Sequence, residues 1–73
     1  MKVKKIILRD SADSGFDDLI TFDNEVLLED IYSQVAYVKE NVEAYTNEDV
    51  SIALKQLSPF TIEWVGQYEI VEY

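Results

Sequence analysis

The sequence predicts an α+β fold: a small antiparallel sheet of three or four strands with two helices packed on one face. The predicted order is strand, strand, helix, helix, strand, strand (ββααββ). Three observations carry this. Branched apolar residues gather near the start, apolar residues recur every three or four positions through the middle, and an alternating aromatic segment closes the chain. The first and last patterns suit strands, and the middle one suits an amphipathic helix.

Residues 2–9 form the first expected strand, since Val3, Ile6, Ile7 and Leu8 make an apolar run too short for a helix. Its lysines read as protection of a sheet edge. Asp10-Ser11-Ala12-Asp13-Ser14-Gly15 is rich in turn formers. Leu19-Ile20-Thr21-Phe22 is then a short strand returning antiparallel to the first. The first helix is expected to start near Asn24 and end about Glu43, with Leu28, Ile31, Val35, Val38 and Val42 on its buried stripe. Asp23, Glu25, Glu29 and Asp30 lie where carboxylates complement the positive end of a helix dipole. Thr46 with Asp49 three residues later approximates a capping box, and Tyr45 with Val50 a hydrophobic staple. Val50, Ala53, Leu54 and Leu57 give the second helix its stripe, and Ser58-Pro59 stops it. The last segment reads as a hairpin turning at Gly66-Gln67, with Trp64 opposite Glu69, Ile62 opposite Val71 and Phe60 opposite Tyr73. One long strand with a glycine irregularity is the alternative.

Seventy-three residues form a single domain, 1–73, and 48% hydrophobic content is enough for a packed core. Cysteine is absent, which excludes disulfides and thiolate metal sites and fits the reducing cytoplasm. Arg9 and Asp10 cut short the apolar stretch after Met1–Lys5, so neither a signal core nor a membrane span is present, and a complete cytoplasmic protein is expected.

Charge is distributed unevenly. Fifteen acids face six basic residues, and four of the six (Lys2, Lys4, Lys5 and Arg9) fall within the first nine positions. From Asp10 onward only Lys39 and Lys55 offset all fifteen carboxylates. Part of the excess supports helix starts, and the rest keeps a small protein soluble. Such a surface repels phosphates and anionic lipid, so neither direct nucleic-acid binding nor membrane binding is expected.

Catalytic chemistry has little to draw on. Histidine and cysteine are absent, and Ser11, Ser14, Ser33, Ser51 and Ser58 lie in turn, cap or helix-surface contexts outside any G-x-S-x-G frame. Two glycines make no phosphate loop. Aligning Gly15 with the glycine of a calcium-binding EF-hand loop puts Asp10 at position one. The third position is then Ala12, and the twelfth is Thr21 where a bidentate glutamate is required. Weak cation binding by Asp10, Asp13, Asp17 and Asp18 is the residual reading. No catalytic residue, cofactor site or metal site is therefore expected, and the chain reads as non-enzymatic.

Thr46-Asn47-Glu48-Asp49-Val50, then Ala53-Leu54, Leu57 and a two-stranded hairpin, resemble the recognition helix and wing of a winged-helix domain. That face would present Glu48, Asp49, Glu63, Glu69 and Glu72 to phosphates, so the resemblance implies an accessory domain without DNA binding. In composition the chain looks like the small acidic proteins of phages and mobile elements, including host-defence inhibitors and DNA mimics. Two binding surfaces follow. Glu25, Glu29, Glu40 and Glu43 form an acidic side of the first helix, suited to a basic protein surface. Tyr68 and Ile70 face away from the core and suit either a protein partner or a second copy in a homodimer. A homo-oligomeric assembly protein is the competing reading.

Overall fold

Val3, Ile6 and Leu8 are the buried residues of β1 (Lys2–Arg9), and their spacing requires a break in the strand alternation. The break is present as a register shift between Val3 and Lys5 in the antiparallel pairing with β2 (Asp17–Leu27). A bulge of this kind puts Val3 on the same face as Ile6 and Leu8 although their parity differs. The computed structural model describes residues 1–12 and 17–73. The calcium-loop reading falls partly on Asp13 and Gly15, which lie outside the described residues.

β2 is longer than the sequence predicts, because its far end pairs with the start of the chain. Val26 aligns with Val3 and Leu27 with Lys2, and the Leu28 N–H donates to the Met1 carbonyl at 2.8 Å. That pairing delays α1 (Leu28–Asn41) by four residues from its expected start. Asp23 and Glu25 accordingly lie in the strand, leaving Glu29 and Asp30 in the first helical turn. Ile31, Val35 and Val38 form the buried stripe of α1, as their spacing predicts.

α2 (Asn47–Leu54) begins where expected: Asp49 Oδ2 accepts from the Thr46 N–H at 2.8 Å and the Thr46 side chain accepts from the Asp49 backbone N–H, closing the capping box. The chain then tightens into successive short-range bonds from Lys55, Gln56 and Leu57 before Ser58-Pro59. Gln34 Nε2 donates to the Ala53 carbonyl at 3.1 Å, tying the two helices together. Val50 and Leu54 complete a core with Ile20, Phe22 and Val71.

The class and element order are as predicted, with β3 (Phe60–Thr61) and β4 (Glu69–Glu72) following the helices. The sheet is mixed, in the order β3-β2-β1-β4. β3 runs antiparallel to β2, and β4 runs parallel to β1. The terminal hairpin is therefore not formed: its two halves sit on opposite edges of the sheet. With it goes the wing required by the winged-helix resemblance. The physical reason lies in the β1–β2 ribbon, which has two edges to cover. Splitting the pair lets Phe60 meet Phe22 edge-to-face, 5.8 Å between ring centroids, at one edge. Val71 aligns with Leu8 at the other edge and is fully buried. β1 is consequently an inner strand over residues 6–9, while Lys2, Lys4 and Lys5 precede the stretch that β4 covers and keep an edge, as their charge predicts.

Candidate functional site

Strand alternation places Lys5, Ile7 and Arg9 on the side of β1 opposite Ile6 and Leu8, away from the helical core. Three rows cross this second face. Thr61, Thr21 and Lys5 make the first, Leu19, Ile7 and Ile70 the second, and Asp17, Arg9 and Glu72 the third. The middle row is apolar; Leu19 is buried although it is outside the main core cluster, while Ile70 is 53% exposed.

The third row is ionic. Arg9 Nε and Nη2 reach Asp17 Oδ1 and Oδ2 at 3.1 and 2.9 Å, and Nη1 lies 3.9 Å from Glu72 Oε2. The Arg9 hydrogen bond is the main cause holding the Asp17 carboxyl below its ordinary value. Asp17, one of the cation-ligand candidates, is thus engaged by a guanidinium. Among the described residues no group of three or more metal-ligating side chains converges.

Residues 62–68 connect β3 on one edge to β4 on the other. The span is three strand spacings, about 14 Å, and seven extended residues reach roughly 23 Å. The surplus length goes into a turn at Gly66, whose φ of 98° suits glycine. Lys5 anchors this crossover to the sheet: its Nζ donates to the Val65 carbonyl at 2.9 Å and lies 5.8 Å from the Tyr68 ring centre. The Tyr68 hydroxyl donates to the Glu63 carbonyl and sits 3.5 Å from Thr21 Oγ.

With the backbone of the crossover fixed inward, its apolar side chains are left outside. Trp64 is 78% exposed, Val65 71% and Ile62 64%. The hairpin expectation placed Trp64 and Ile62 in the core, and this is a correction: neither packs there, because the strand pairing that would have turned them inward is absent. Glu63, Glu69 and Glu72 are exposed close by along the chain.

The sequence-predicted acidic surface is divided among elements. Glu29 and Glu40 lie on the same side of α1, about 16 Å apart along its axis. Glu25 belongs to β2, and Glu43 follows the helix end. Glu29 also contacts the Met1 amino group at 3.2 Å. All four are exposed, and they do not form one cluster. Tyr68 and Ile70 do come together on the helix-free side, joined there by Trp64, Val65 and Ile62, which sequence reasoning did not place on the surface. A separate cleft of about 490 Å³ runs between the helices, lined by Tyr37, Val42, Asp49 and Ile52.

No protein-family model matches the chain, and neither the curated proteins nor the solved structures contain a match. Among the described residues, no helix is long and apolar enough to cross a membrane.

Proposed function

We propose that this chain is a non-catalytic protein-binding module, acting in the cytoplasm, whose helix-free face docks on a basic surface of a partner protein. The observation that carries the proposal is the outward display of Trp64, Val65 and Ile62 on a backbone segment pinned by Lys5. Large apolar side chains on a pre-positioned segment gain contact area at low ordering cost, and tryptophan is a frequent interface anchor.

Charge supports the choice of partner. Lys5 and Arg9, the cations of this face, are already occupied by the Val65 carbonyl and by Asp17 and Glu72. The acid Glu63 of the crossover remains to meet an incoming surface, on a chain of net charge −9. Complementary charge steers encounter with a basic partner and suppresses acidic ones. Small size and acidity also fit the type of phage or mobile-element protein that occupies a basic host surface.

Affinity capture from the native cell with the parent chain and Trp64→Ala, at low and high salt, tests this. The expected result is retention of a basic protein by the parent, loss with Trp64→Ala, and weakening with salt. Retention indifferent to both Trp64 and salt would remove the proposal. A concentration-dependent dimer by light scattering, lost with Trp64→Ala, would assign the face to self-association instead.

A further inference from the structure

β4 is the last strand on its side of the described sheet. Its inner edge is satisfied by β1: the Tyr73 N–H donates to the Arg9 carbonyl at 3.0 Å, and the Tyr73 carbonyl accepts from the Ser11 N–H at 2.7 Å. Backbone groups alternate between the two edges of a strand, so Ile70 and Glu72 direct their N–H and C=O groups to the open side. These are strong, directional groups ready to pair with another extended chain.

The strand on the inner edge shows what β4 accepts. β1 is the basic strand, and the stretch of it that β4 pairs with is Ile6-Ile7-Leu8-Arg9, apolar residues closed by a cation. It lies between two acidic strands, β2 with Asp17, Asp18, Asp23 and Glu25, and β4 with Glu69 and Glu72. Arg9 bridges both flanks, at 2.9 Å from Asp17 and 3.9 Å from Glu72. The open edge of β4 therefore presents the same acidic strand to the outside. Another copy of this chain is a poor match, because it carries the same acidic strands and a net charge of −9. Short length and like charge also defend an edge against self-pairing.

We infer that the open edge of β4 receives an extended segment of the partner protein, alternating lysine or arginine with apolar residues, as an added strand. This rests on the protein-binding reading above and gives the partner segment a shape and a charge. Main-chain bonds to Ile70 and Glu72 supply affinity in this mode, and side chains alternating across the edge supply selectivity. Glu69 and Glu72 repel a second copy and attract the basic strand.

Three synthetic peptides test it: alternating lysine and valine, alternating glutamate and valine, and the lysine–valine peptide N-methylated on every backbone nitrogen. The lysine–valine peptide is expected to slow amide hydrogen exchange at Ile70 and Glu72 roughly tenfold near saturation, and the other two to leave it unchanged. Equal binding of the methylated peptide would show that charge alone acts, and would overturn strand addition. Ile70→Pro removes one outward N–H at a position where an edge strand tolerates proline, so it should lose the peptide while keeping its far-UV circular dichroism. Slow, concentration-dependent exchange of these two amides without peptide would give the edge to a second copy and also overturn the inference. Capture of a basic protein through Trp64, with no change at the Ile70 and Glu72 amides, sinks strand addition alone. Loss of that capture sinks the underlying reading.

Discussion

The Tyr73 hydroxyl donates to Asn47 Oδ1, linking the strand beside β1 to the first residue of α2. Asn47 Nδ2 in turn donates to the Leu8 carbonyl at 3.3 Å, so one amide side chain ties helix, inner strand and outer strand together. Burial, together with the nearby Asp10, pushes the Tyr73 phenol up to about 12 from its ordinary 10.0. A raised folded value means the contribution to stability is complete below pH 10 and is lost as pH rises through about 12. Absorbance titration should find a phenol ionising late, near pH 12. Tyr73→Phe should abolish that late step and lower stability at neutral pH by about 1 kcal/mol through the lost hydrogen bond. A late step that survives in Tyr73→Phe would assign it to another phenol.

The Arg9–Asp17 pair makes the opposite pH prediction. Asp17 is held below its ordinary 3.8, chiefly by the hydrogen bond from Arg9. A lowered folded value gives a contribution present above the ordinary carboxylate range and lost as pH falls through the lowered one. Asp17→Asn should therefore unfold at lower urea than the parent at pH 7, with the difference closing in acid below pH 3.8. The pair is solvent-exposed, so high salt should narrow the difference too. A gap unchanged by both acid and salt would show that the ion pair contributes nothing to it.

Legibility in the sequence followed the range of the interactions. The Thr46–Asp49 box and the Ile31, Val35 and Val38 part of the α1 stripe are local, three or four residues apart, and appear as read. Val42, the last residue of the expected stripe, falls just past the helix end and is exposed. The start of α1 was misplaced because Val26 and Leu27 are claimed by Val3 and Lys2, at the other end of the sheet. The terminal hairpin failed for the same reason. Gly66-Gln67 suits a local turn, while the parallel register of Ile70 on Ile7 has no local signature. Ile70 was still placed off the core side, since alternation from Val71 survives any change of pairing partner. Trp64 was not, because its inward orientation depended wholly on facing Glu69.

Gly66 supports the crossover in two ways, and alanine should fail at both. Its φ of 98° lies where a side chain is strained, and an added Cβ would come within 2.8 Å of Lys5 Nζ. Displacing Lys5 would also disturb its bond to the Val65 carbonyl and its position over Tyr68. Gly66→Ala should cost about 1 kcal/mol or more in chemical denaturation. It should also speed amide exchange in residues 62–68 while leaving α1 and α2 unchanged. Stability equal to the parent's would mean that the turn relaxes freely and Lys5 does not anchor it.

Matched truncations separate the core from the exposed crossover. Ile31 is fully buried on α1 and Ile62 is 64% exposed, so the same loss of one methylene group has different surroundings. Ile31→Val should cost about 0.5–1.5 kcal/mol, through lost transfer energy and a residual void. Ile62→Val should change stability by less than about 0.5 kcal/mol, as expected for a surface position. The aromatic pair extends the contrast: Phe22→Ala should cost about 3–5 kcal/mol, and Trp64→Ala again less than about 0.5. Trp64 is the only tryptophan, so its fluorescence reports the crossover without interference. Emission in the folded chain should lie near that of free tryptophan in water and be quenched readily by acrylamide. If Trp64→Ala cost as much as Phe22→Ala, the indole would be packed rather than displayed, and the helix-free face would lose its anchor.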